Sequence, residues 1–174
     1  VGYTSDEPLE YEVFGDNLQV ARLKLKPGQE LYALDAISGD VRWEFDTQDF
    51  VTSSASVAGG RVFVSDFKYF YAIDQRTGTM LWSYPADSAI YFSSVATGDT
   101  VLITSGQNLI ALNVADGSKR WEKNVPGESL VPAGAQGDRV FVKTTNVLYA
   151  LNQLDGHELW SFENINYVSL PALT

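Results

Sequence analysis

Apolar residues in this chain come in short blocks, interrupted every few positions by Gly, Asp, Ser or Thr, and such blocks predict strands. Between residues 50 and 88 they read FVTSSASV, RVFVS, YFYAID and TMLWSY, separated by turn signals at Gly59-Gly60, Asp66 to Lys68 and Arg76 to Gly78. The third block is apolar at consecutive positions, with Phe70 pointing to one face and Tyr71 to the other, which predicts a strand covered on both sides. The fourth type alternates, as in Arg42-Trp43-Glu44-Phe45, the mark of a half-exposed edge. Strands this short and this closely spaced leave no room for a crossover helix, so neighbours must run antiparallel.

The pattern returns every 39 residues without insertion or deletion: Ala33, Ala72, Ala111 and Ala150; Gly39, Gly78, Gly117 and Gly156; Trp43, Trp82, Trp121 and Trp160. Val62, Val101 and Val140 align, as do Val64, Ile103 and Val142, with Leu23 and Leu25 in the matching places of the first unit. In the third strand Leu31, Phe70, Leu109 and Leu148 share one face, and Tyr32, Tyr71, Ile110 and Tyr149 the other. A fixed repeat of this length signals a solenoid, propeller or array. A four-stranded sheet covered on both faces, with its last strand an edge, is a blade stacked between blades. The predicted fold class is therefore all-β, a β-propeller of four-stranded antiparallel blades.

One propeller or half-propeller domain is expected over residues 1–174, with blade units at about 11–49, 50–88, 89–127 and 128–166. Residues 167–174, YVSLPALT, would supply the inner strand of a further or shared blade. The first unit's inner strand is expected at Phe14 to Leu18, and Ser53-Ser54, Ser93-Ser94, Pro132-Ala133 and Pro171-Ala172 would mark the crowded innermost strands.

Within each repeat, Asp35, Asp74, Asn113 and Asn152 can hydrogen-bond backbone amides of a turn that the following glycine closes with a positive φ. The alanine leaves space beside it, and the tryptophan is placed to pack on the next blade.

Composition narrows the function classes. The net charge of −10 repels phosphate backbones and argues against nucleic acid as a partner. Asp6, Glu7, Glu10, Glu12 and Asp16 precede the first basic residue, Arg22, and read as a solvated acidic arm. There is no cysteine, so no disulfide and no thiolate metal site. No stretch is apolar enough for a membrane-spanning helix, and VGYTSDEPLE lacks the regions of a signal peptide, so for an exported protein this is expected to be the mature form or an excised part.

Candidate chemistry is sparse. Asp35, Asp74, Asp116 and Asp155 stand in turns of separate blades and read as turn residues rather than metal ligands or an acid/base set. His157, the only histidine, follows Gly156 in such a turn with no evident nucleophile or second ligand. Gly59-Gly60 opens no helix and is a hairpin turn, not a phosphate loop. The densest aromatic run, FKYFY at Phe67 to Tyr71, reads as inter-blade packing ahead of a sugar- or peptide-binding platform.

The four repeats match Ala-x-Asp/Asn-x-x-x-Gly-x-x-x-Trp, and on these residues the chain resembles the tryptophan-docking repeats of the pyrroloquinoline quinone (PQQ)-like, quinoprotein alcohol dehydrogenase-like propellers. The resemblance covers about residues 31 to 174; residues 72 to 82 fit fully, while Ser38, Asp116 and Asp155 replace the threonine of Thr77. It implies an eight-bladed ring, of which four repeats are half, or else a small closed ring. It implies further that members are either enzymes holding PQQ and Ca²⁺ in a central funnel or non-catalytic scaffolds and sensor ectodomains. The vicinal cysteine pair common beside the quinone in the enzymes has no counterpart here. The expected function is a non-catalytic, protein-binding scaffold, extracytoplasmic, similar in style to the outer-membrane assembly lipoproteins, with no cofactor and a possible homodimer completing the ring. The alternatives are a fragment or relative of a PQQ-dependent dehydrogenase and a ligand-sensing ectodomain of a membrane kinase.

Overall fold

The computed structural model describes residues 10–13, 18–22, 29–125 and 131–163, the first two segments as backbone strands. The first sheet is built from β1 (Glu10–Val13), β2 (Leu18–Arg22), β3 (Glu30–Asp35) and β4 (Val41–Asp46). The second holds β5 (Ser56–Ala58), β6 (Arg61–Ser65), β7 (Tyr69–Asp74) and β8 (Met80–Pro85). The third holds β9 (Val95–Thr97), β10 (Thr100–Ser105), β11 (Asn108–Asn113) and β12 (Lys119–Asn124), and the fourth β13 (Val131–Gln136), β14 (Arg139–Lys143), β15 (Val147–Asn152) and β16 (Glu158–Glu163). Each is a four-stranded antiparallel meander in chain order, the blade predicted from the pattern, and among the described residues there is no helix.

Three apolar layers join the blades in sequence. Leu31, Ala33 and Trp43 of the first face Val62, Val64, Tyr71 and Ile73 of the second. Phe63, Phe70, Ala72 and Trp82 face Val101, Ile103, Ile110 and Leu112 of the third. Leu102, Leu109 and Ala111 face Val140, Val142 and Leu151 of the fourth. The alternation along the third strand thus sends neighbouring residues into different layers, which is why that strand is apolar throughout. Among the described residues no apolar layer joins the first sheet to the fourth, so the blades form an open row.

The first blade departs from the 39-residue register. Val20 lies opposite Ala33, where Phe63 lies opposite Ala72, so Gln19 and Ala21, not Leu23 and Leu25, correspond to Val62 and Val64. The connection from β2 to β3 covers residues 23–29 where its counterpart covers 66–68, and the strands before it shift upstream by the difference. The inner strand consequently runs Glu10–Val13 rather than Phe14 to Leu18; Asp6, Glu7 and Asp16 fall outside the described residues, while Glu10 and Glu12 lie on this strand. Their alternation with Tyr11 and Val13 is a strand pattern that reads, on charge alone, as an acidic run.

The inner strands of the second and third blades are also shorter than predicted, three residues each, and Ser53-Ser54 and Ser93-Ser94 precede them. Ser53 Oγ accepts from the Ser65 amide at 3.0 Å and from Ser65 Oγ at 2.8 Å, so side-chain bonds replace the ladder there. Pro132-Ala133 does lie in β13, whereas Pro171-Ala172 and the proposed strand at 167–174 fall outside the described residues.

Candidate functional site

The residues singled out by the repeat occupy the outer turns, one set per blade. Asp35 Oδ1 accepts from the Ile37 and Ser38 amides (2.9 and 3.0 Å), and Asp74 Oδ1 from those of Arg76 and Thr77 (3.0 and 2.8 Å). Asn113 and Asn152 hold the Ala115 and Leu154 amides at 3.0 and 2.8 Å. Gly39, Gly78, Gly117 and Gly156 close these turns at φ values of 77, 72, 72 and 71°. Ala33, Ala72, Ala111 and Ala150 pair with Trp43, Trp82, Trp121 and Trp160 across the last two strands, and a register shift follows each pair.

Each tryptophan of the first three blades then reaches the turn of the next. The indole N–H groups of Trp43, Trp82 and Trp121 donate to the carbonyls of Gln75, Val114 and Gln153 at 2.9, 3.0 and 2.8 Å. A Cβ on Gly78, Gly117 or Gly156 would lie 2.7, 2.5 or 2.7 Å from the ring seated there. The glycine is therefore required twice, by its backbone angle and by the indole lying on it. These residues lie in separate joints and do not converge on a reacting centre.

The turn carboxylates do make stability depend on pH. The Arg42 guanidinium and two amides hold the Asp35 carboxyl well below its ordinary range, Thr77 does the same for Asp74, Arg120 for Asp99 and Ser118 for Asp116. A folded-state pKa lowered in this way gives stability that is present above the unfolded value, about 4, and lost as pH falls toward the folded one. Relief of the −10 net charge acts oppositely while the pH is above the pI of about 4.4. Thermal melts followed by circular dichroism are thus expected to change little between pH 7 and 5 and to fall steeply below about pH 4; a midpoint unchanged at pH 3 would contradict this.

Glu30, Glu44 and Asp46 approach within 4.8 Å of one another on the last two strands of the first blade, Glu30 buried and the other two exposed. Burial and a hydrogen bond to Glu44 push the Tyr32 phenol up to about 12. This trio lies on the outer half of a blade, not along the inner strands. Of the inner strands, β5, β9 and β13 carry no carboxylate, and β1 carries Glu10 and Glu12. Asp116 and Asp155 bond the Ser118 and His157 amides of their own turns, and His157 is exposed.

A different set of side chains is brought together at one end of the second and third blades. Phe50 lies in the β4–β5 connection, Phe67 in the β6–β7 hairpin, and Tyr91 and Phe92 in the β8–β9 connection; they are 45, 38, 61 and 36% exposed. Phe67 and Tyr91 meet edge to face at 6.0 Å. Asp66, fully buried, ties the β4–β5 connection to the β6–β7 hairpin: Oδ1 accepts from the Lys68 and Tyr69 amides at 2.7 Å each, and Oδ2 from the Asp49 amide at 3.1 Å and the Tyr71 hydroxyl at 2.6 Å. Burial, followed by that bond to Asp66, drives the Tyr71 phenol far above its ordinary range. Lys68 and Asp49, 3.5 Å apart, form a charged rim. Of the aromatic run at 67 to 71, Tyr69 and Tyr71 pack into the layer between blades and Phe67 alone faces out. Sequence reasoning missed Phe50, Tyr91 and Phe92. Their signal is a break in the repeat: 39 residues from Phe67 stands Gly106, from Tyr91 Thr52, and from Phe92 Ser53.

The family model described as outer membrane protein assembly factor BamB matches residues 9–130 and 88–173. No curated protein matches the chain. BamB from Moraxella catarrhalis superposes with a TM-score of 0.75 at 16% identity, over 88% of this chain and 48% of that one. The computationally designed Ika8 protein gives 0.73 at 13% identity, over 91% and 50%. The quinohemoprotein alcohol dehydrogenase ADHIIG from Pseudomonas putida HK5 gives 0.70 at 17% identity, over 87% and 33%. At these identities the likeness is one of fold, and the chain spans half or less of the length of each of the three structures.

Proposed function

The chain belongs to the BamB family of PQQ-like repeat propellers, and on that premise we propose that it is a non-catalytic scaffold that binds another protein through its aromatic loops, outside the cytoplasm in the cell envelope or secreted. One observation carries the reading: exposed aromatic side chains that the repeat does not require meet at Phe67 and Tyr91, and a buried carboxylate holds the loops of Phe50 and Phe67. Clustered aromatics with a charged rim are the composition of a protein interface, and loops already fixed lose little entropy on binding. The extracytoplasmic setting is supported by the family's description as an outer membrane assembly factor. No PQQ or Ca²⁺ is part of this reading, and a homodimer is admitted as the complete scaffold.

The test is the double variant Phe67→Ser with Tyr91→Ser. Both side chains are exposed, so folding stability should change by less than about 1 kcal/mol. Losing two aromatic anchors should weaken partner binding by about tenfold to a thousandfold, as for interface hot spots. Affinity capture from a solubilised envelope fraction is expected to retain a partner with the original chain and to lose it with the variant. Equal retention, or a specific PQQ adduct in native mass spectra taken with Ca²⁺, would contradict the proposal.

A further inference from the structure

Among the described residues the inter-blade seat is made three times, and each of its two halves is found once more without the other. Its donor half is Trp160, 44% exposed where Trp43 and Trp82 are 7 and 8% exposed. Around it the last blade presents Phe141 and Phe162, the latter 61% exposed, on the side that in every other blade faces a neighbour. The acceptor half is the turn Ala36 to Gly39. Asp35 and Gly39 make there the same backbone bonds, both 2.8 Å, as Asp74 and Gly78 make in the occupied turn, and φ is +77°. Yet a Cβ on Gly39 would meet nothing within 4 Å, where those on the other three glycines would strike an indole.

We propose that these halves belong together in two copies: Trp160 of each chain seats on Gly39 of the other, its indole N–H donating to the Ala36 carbonyl. The contact is head to tail, since the donor and acceptor surfaces differ, and such contacts close into rings or run on as filaments. Closure at two copies leaves neither half unfilled, since each chain then donates one indole and accepts the other. This contact uses the blade faces and not the aromatic loops, so Phe67→Ser with Tyr91→Ser leaves it intact and the two proposals fail separately.

Sedimentation velocity of the purified chain over micromolar concentrations tests the contact, with expected mass twice 19.2 kDa. Trp160→Ala and Gly39→Ala should each shift the dimer to monomer by at least tenfold in dissociation constant while the monomers stay folded by circular dichroism. Mixing the two variants should restore part of the dimer, because the mixed pair keeps one whole seat. A monomer at every concentration would overturn the proposal, as would loss of association with Trp160→Ala but not Gly39→Ala, which is the signature of a face-to-face pair. Open-ended oligomers, or no recovery on mixing, would overturn it equally.

Discussion

Gly117→Ala is expected to destabilise the fold by about 3 kcal/mol, and Gly39→Ala by only about 1 kcal/mol, although the two glycines share one turn and nearly one φ. The shared part is the left-handed backbone angle, which a Cβ makes unfavourable by about 1–2 kcal/mol. The difference is the indole: at Gly117 the new carbon would lie 2.5 Å from the Trp82 ring, while at Gly39 it enters open space. Overpacking a well-filled layer adds about 1–3 kcal/mol. For a chain of this size that separation corresponds to a melting difference of roughly 4–8 °C, readable by calorimetry at sub-micromolar protein. Equal midpoints for the two variants would mean that the ring does not rest on the glycine.

Trp82→Ala should cost about 3–5 kcal/mol, the range for deleting a buried aromatic ring. Trp82 is 8% exposed, lies in the layer between the second and third blades against Phe63 and Phe70, and its loss also strands the Val114 carbonyl. Trp160→Ala, at the same place in the repeat but 44% exposed and touching Phe141, should cost about 1 kcal/mol in the monomer. Denaturant unfolding of the two variants side by side checks the ratio. A similar loss from both would show that the tryptophan acts within its own blade.

Much of this architecture was legible in the chain. Alternation at Arg42 to Phe45 and its absence at Phe70-Tyr71 identified an edge strand and a strand covered on both faces, and the 39-residue repeat then allowed only stacked sheets. The second requirement on the glycines was not legible, because Trp43 and Gly78 meet only when one blade lies on the next. The first blade misled for a specific reason: Leu23 and Leu25 are apolar at the repeat distance from Val62 and Val64, so they hid the longer β2–β3 connection that places Gln19 and Ala21 there. The aromatic loops escaped because a search for recurrence passes over what does not recur. Phe67 and Tyr91 replace residues as different as Gly106 and Thr52 at equivalent places.

The recurring tryptophans and glycines are joints between blades, and the proposed recognition falls to side chains that break the repeat. A double-mutant cycle on Trp82→Leu and Gly117→Ala measures this most directly. If the indole seats on the glycine, Gly117→Ala loses its steric part once the ring is gone, and the two changes should couple by about 1–2 kcal/mol, together costing less than their separate sum. Additivity within about 0.3 kcal/mol would contradict it and return both residues to independent roles in their own blades.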